Sequence, residues 1–154
     1  MIAELILRKN KLIVNKLIHS GRADLNIIAL ILCESHFRKR VDRIIEYLAM
    51  PILLFVSKKR FYRLSIGIGQ IQLRHWKKIN TGYSPISIYS YFTYFSVQKN
   101  YDILKELINM NLSKGYTDSK LIAFHTGETR NYHFALFQEL KNKIKTVSNN
   151  KTYT

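Results

Sequence analysis

The chain is poor in cysteine, proline and acid. A single cysteine, Cys33, among 154 residues excludes an internal disulfide and a zinc site built on several thiolates. It lies inside an apolar run, which favours a buried structural thiol over a nucleophile. Two prolines and six glycines are too few turn-formers for a many-stranded sandwich, so helix is the expected class. No apolar run approaches the length of a membrane span. The N-terminal hydrophobes come in short bursts broken by Arg8, Lys9, Lys11 and Lys16, so no secretory signal is read. Acidic residues number 10 against 25 Lys and Arg, a net charge of +15. Such a chain is drawn to polyanions: nucleic acid, an anionic membrane surface or an anionic cell wall.

What is present suffices for one domain, residues 1–154, with hydrophobic residues at 47% and a polar tail from about 147 expected to fray. The chain is organised around the apolar run Ile27-Ile28-Ala29-Leu30-Ile31-Leu32-Cys33 and the Glu34 that ends it. Such a run reads as a helix buried on most faces, with Asp24 as its N-cap. Glu34 then sits where core meets cleft, and desolvation there raises a carboxyl towards the range of a general acid. Residues 1–20 read as an amphipathic helix through Leu5, Leu12, Leu17 and Ile18. Val41, Ile44, Ile45 and Leu48 keep helical spacing with charges on the other face, and Pro51 suits the opening of a further helix. Gly67 and Gly69, within partial alternation from Phe61, predict a short hairpin feeding a helix near Leu73. The aromatic stretch 83–101 follows neither period; its rings suit a core, or stacking on sugars or bases. Helices are expected from Asp102 to Leu112, ended around Gly115, and through Phe134, Phe137, Leu140 and Ile144.

Three pieces recur in a telling order: Glu34-Ser35-His36-Phe37, then Ser65-Ile66-Gly67-Ile68-Gly69-Gln70-Ile71-Gln72, then Ala123-Phe124-His125-Thr126-Gly127 with Tyr132. This order resembles the lysozyme superfamily, and within it the lytic transglycosylases and the muramidases of phages and secretion systems. The run Gln70-Ile71-Gln72-Leu73-Arg74-His75-Trp76 is also similar to the Gln-Ile-Asn-Ser-Arg-Tyr-Trp run of animal-type lysozymes. The resemblance spans roughly residues 24–140 and implies a mainly α, lysozyme-like fold with a small hairpin lining the cleft. It implies that Glu34 is the catalytic acid, with Ser65, Gly67, Gln70, His125 and Tyr132 on the substrate side.

The chain departs from the pattern in three places. The segment from Phe37 to Ser65 is longer and more basic than usual, as if a helix pair were added. Gly69 directly precedes Gln70 where a bulkier residue is usual, and Phe124-His125 replaces a Tyr-Asn pair. Ser65 stands where retaining lysozymes carry a second carboxylate, whose role there is as nucleophile or stabiliser. A single carboxyl must then act first as acid and next as base. In the transglycosylases the base takes its proton from a hydroxyl of the sugar itself, leaving a 1,6-anhydro product.

Asp42, Glu46 and Glu128 read as surface charges, Glu128 being the nearest to the expected cleft. His19, His36, His75, His125 and His133 show no metal-ligand spacing, and no cofactor is implied. Gln70 suits either a hydrogen bond to an acetamido sugar or ordinary backbone bracing.

The expected activity is cleavage of peptidoglycan glycan strands between N-acetylmuramic acid and N-acetylglucosamine. The chain would be made in the cytoplasm and act on the wall after export by other machinery, of phage-lysis or secretion type. The alternative is a non-catalytic basic helical module that binds nucleic acid or an anionic wall polymer. No helix-turn-helix or RNA-binding signature supports the nucleic-acid form.

Overall fold

The computed structural model describes residues 2–22, 24–37, 40–79, 87–112, 115–126 and 131–149. At its centre is α3 (Leu25–Phe37), in which every residue from Ile27 to Cys33 is buried. A helix apolar all round must be enclosed. Here α10 (Asn131–Asn149) packs along it, joined by α8 (Val97–Asn111) and α1 (Ile2–Lys9). Each fully buried Ile or Leu of this run contributes about 2 kcal/mol relative to exposure. The Asp24 carboxylate accepts the backbone N–H of Asn26 at 2.9 Å and of Ile27 at 3.4 Å, which is the expected N-cap. The guanidinium of Arg22 grips Asp102 of α8 through two bonds of 2.7 Å, fixing the entry to α3.

The N-terminal stretch is two helices and not one. α1 stops at Lys9 and α2 (Lys11–His19) begins beyond Asn10. The Asn10 side chain donates to the Ile6 carbonyl at 2.8 Å, and this local bond competes with continuation of the helix. The buried set is Ala3, Ile6, Leu7, Val14 and Leu17, whereas Leu5 and Leu12 of the expected face are exposed.

A helix pair does fill the segment after Phe37. α4 (Arg40–Val56) carries Pro51 in its interior, so that proline does not open a helix of its own. α5 (Lys58–Arg63) follows, capped by Ser57, whose hydroxyl accepts the Arg60 N–H. The face of α4 that meets the core holds Met50, Tyr47, Leu53 and Leu54. Val41, Ile44, Ile45 and Leu48, the apolar series read from the sequence, point outward.

The expected hairpin is present, as β1 (Ser65–Ile66) and β2 (Ile71–Gln72). The strands are antiparallel, with Ser65 opposite Gln72 and Ile66 opposite Ile71. α6 (Leu73–Ile79) starts at once and sinks Trp76 into the core against Tyr94 of α7 (Ile88–Phe95). Part of the aromatic stretch is therefore helix: Tyr94 and Tyr101 are buried, while Phe92 and Phe95 face out.

α9 (Asp118–Thr126) is tied to α10 at its first residue, where Asp118 accepts from Gln138 at 2.6 Å and Lys141 at 2.8 Å. α10 seats Phe137, Leu140 and Ile144 in the core as the spacing requires, and it stays helical to Asn149, past the expected start of fraying. The protein is mainly α: among the described residues there are ten helices and one two-stranded antiparallel sheet. None of these helices is long and apolar enough to cross a membrane.

Candidate functional site

Two helix ends converge at the site. Glu34 opens the last turn of α3 and His125 lies in the last turn of α9. Their side chains are 15% and 7% exposed, and His125 Nε2 stands 3.6 Å from Glu34 Oε1. That spacing suits an ion pair, but the ring is uncharged near neutral pH. Burial, aided by the positive field of His75, pushes the imidazole down to about 4. His125 therefore brings no positive charge to hold the Glu34 carboxyl ionised. Next to Glu34, the Ser35 hydroxyl donates to the Leu32 carbonyl at 2.8 Å and is engaged within its own helix.

The hairpin forms the facing wall, and its turn is clamped from beneath. Gly67 has φ of +78°, a conformation that favours glycine. Its N–H donates to the Tyr47 hydroxyl at 3.1 Å, and the Gly69 N–H donates to Asn100 Oδ1 at 3.2 Å. Asn100, fully buried on α8, donates in turn to the carbonyls of Tyr94 and Ser96, each at 2.8 Å. Gln70 completes the turn with φ of +50°, its side-chain N–H donating to the Gly67 carbonyl at 2.9 Å.

Between hairpin and helices lies a cavity of about 240 Å³. Its polar wall is Ser65, Gln70, Gln72, Arg74, His75 and His125; its apolar wall is Ile71, Leu104, Leu107 and Phe124. The volume is below the range usual for drug-sized ligands, and the cavity is partly open to solvent. No carboxylate lines it among the described residues; Glu34 is in contact with His125, which does line it. The His75 imidazole is also held below its ordinary value, by burial and by the neighbouring charges of Arg74 and Lys78. The amide oxygen of Gln72 is buried without a hydrogen-bond partner among the described residues. Such an acceptor costs about 1–3 kcal/mol until a donor meets it.

Of the residues singled out in the sequence, Ser65, Gln70 and His125 line this cavity, while Glu34 is off its wall and touches His125. Gly67 does not line it; a Cβ there would stand 2.9 Å from the Tyr94 carbonyl, so its place is the floor of the turn. Tyr132 is half exposed on α10, edge-on to Phe37 with ring centres 5.4 Å apart, and it too lies off the cavity wall. Asp42 is exposed on α4 and Glu46 half-buried there, and neither lines the cavity. Glu128 and Gly127 lie outside the described residues. Sequence reasoning missed Gln72, Arg74 and His75 as cavity residues, although they fall in the very run that resembles animal-type lysozymes. Among the described residues no group of three His, Cys, Asp or Glu side chains could hold a metal ion.

No known protein family, no curated protein and no solved structure matches the chain.

Proposed function

We propose that the protein cleaves the glycan strands of peptidoglycan between N-acetylmuramic acid and N-acetylglucosamine, with Glu34 as both acid and base. The observation that carries this reading is the Glu34–His125 contact behind a small polar cavity walled by the hairpin. A general acid must hold its proton at rest. Two features favour that here: a largely buried carboxyl, and a neighbouring imidazole that is neutral at pH 7.

In the first step the Glu34 carboxyl gives its proton to the glycosidic oxygen as the bond from that oxygen to the anomeric carbon breaks. In the second, the Glu34 carboxylate takes the proton of the sugar's own C6 hydroxyl. The freed oxygen lone pair closes on the anomeric carbon, giving a 1,6-anhydro ring and restoring the acid. Ser65 on the cavity wall, where retaining lysozymes carry a second carboxylate, favours this single-acid course. Gln70 holds the turn of the hairpin through its bond to the Gly67 carbonyl. The net charge of +15 would concentrate the enzyme on anionic wall polymers, an attraction that salt weakens. Within this reading the chain reaches the wall through other machinery, of phage-lysis or secretion type.

The test is mass spectrometry of fragments released from purified peptidoglycan by the wild-type protein and by Glu34→Gln. Anhydro-muramic ends are expected, falling by at least about 100-fold in the variant. Reducing ends lost in the same variant would replace the anhydro chemistry with hydrolysis and direct attention to Glu128. No release from several wall types, with tight salt-sensitive binding to DNA or to an anionic wall polymer, would overturn the enzyme reading in favour of a binding module.

A further inference from the structure

α4 is apolar on two opposite sides. One side, with Met50, Leu53 and Leu54, meets the core. On the other, Val41, Ile44, Ile45, Leu48, Ile52 and Phe55 are 57–88% exposed, and Val56 continues the row. At about 100° per residue these side chains fall within an arc of about 120°, along a ridge about 22 Å long. Isolated apolar residues on a surface need no explanation, but a continuous helical ridge does. Phe95 of α7 is also exposed, its ring 4.8 Å from that of Tyr47 on the core side of α4.

The exposed charge of α5, which follows the ridge, is of one sign. Immediately after Val56 come Lys58, Lys59, Arg60 and Arg63 of α5, all exposed. In the sequence a second basic group, Arg38, Lys39, Arg40 and Arg43, precedes and overlaps the start of the ridge. Asp42 is the exposed acid of α4. An apolar helical strip followed by exposed cations has two complements at once: acyl chains for the strip and phosphates for the cations. A second copy of the chain would meet the strip but set +15 against +15.

We propose that the outward face of α4, with the basic residues of α5, docks the protein on an anionic lipid bilayer, the helix lying along the surface. No described helix can span the bilayer, so the attachment is peripheral and reversible. The proposal stands apart from the glycan-cleaving reading, because α4 contributes no residue to the cavity wall.

Co-sedimentation of the full chain with vesicles tests it, using phosphatidylcholine alone and phosphatidylcholine mixed with phosphatidylglycerol. Binding is expected to the mixed vesicles, to weaken with added salt, and to be slight on the neutral ones. Replacing Ile45, Leu48 and Ile52 together by Ser should weaken binding at least about tenfold, as should Lys58→Glu with Lys59→Glu. Far-UV circular dichroism checks the fold of each variant, and Phe55→Ser, at the most exposed position, serves if the triple variant does not fold. Failure of the wild-type chain to bind the mixed vesicles would overturn the proposal, as would equal binding by the folded variants. Light scattering that finds a wild-type dimer, dispersed by the triple substitution, would assign the ridge to a second copy instead. Capture of an acidic protein by the ridge with no vesicle binding would likewise replace the lipid.

Discussion

The Nε2 atom of His125 stands 3.6 Å from Oε1 of Glu34, joining the last turn of α9 to the last turn of α3. The chemistry of the contact follows from burial. An imidazole protonates near 6.5 in an unfolded chain. Here desolvation first, and His75 second, hold it down to about 4.

That difference makes folding depend on pH. Between about pH 6.5 and 4 the unfolded chain binds a proton at His125 that the folded chain refuses, so stability rises with pH across this window. The neutral ring's full contribution is present above about 6.5 and is lost as pH falls towards 4, by up to about 3 kcal/mol. His75, also held below its ordinary value, adds in the same direction. Thermal unfolding measured from pH 7.5 to 4.5 (roughly the window that linkage sets) should show a melting temperature that falls with acid. In His125→Gln the fall should be clearly shallower. An equal slope in both proteins would mean that His125 is not buried neutral.

The parts of this site legible in the sequence were those with a strong local cause. Seven consecutive apolar residues leave α3 no option but burial, so the placing of Glu34 at a core edge followed directly. Gly67, with φ of +78°, marked a turn because few other residues accept that backbone, and Leu73 duly begins α6. Residues whose neighbours are distant in the chain were not legible. Tyr94 and Tyr101 are core because α6 and α3 pack against them, a fact that no local period encodes. The outer row of α4 has the spacing of a core face and yet points outward, because apolar periodicity records which residues share a side and not what covers it. Pro51 was misleading for a related reason. Proline is disfavoured within a helix, but here α4 continues through it with Met50 and Leu53 on either side packed on the core.

Two glycines separate the cost of backbone conformation from that of crowding. Gly67 has φ of +78° and Gly115 has φ of +81°, so alanine at either meets a similar backbone penalty of about 1–2 kcal/mol. A Cβ at Gly115 meets nothing within 4 Å. At Gly67 it would press on the Tyr94 carbonyl at 2.9 Å and on the side chain of Asn100. Gly67→Ala should therefore destabilise by at least about 2 kcal/mol more than Gly115→Ala in urea unfolding. It should also lower any glycan release, since the turn that carries Gln70 and Gln72 would shift. Equal losses of stability would show that the turn yields freely over Asn100.

Cys33 gives an independent measure of how firmly α3 is held. It precedes Glu34 in the chain, is buried, and burial with the nearby Glu34 pushes its thiol up to about 12. Thiolate is the reactive form, so the folded protein offers a thiol reagent almost none at pH 8. An aromatic disulfide reagent should leave Cys33 unmodified over hours in buffer and titrate one thiol per chain at once in denaturant. Because α3 packs against α10, α8 and α1 together, access to Cys33 requires the core to open and not a single helix to fray. The labelling rate in intermediate denaturant should then track global unfolding followed by circular dichroism. Labelling much faster than global unfolding would mean that α3 opens locally at its Glu34 end, and the site would be looser than its packing indicates.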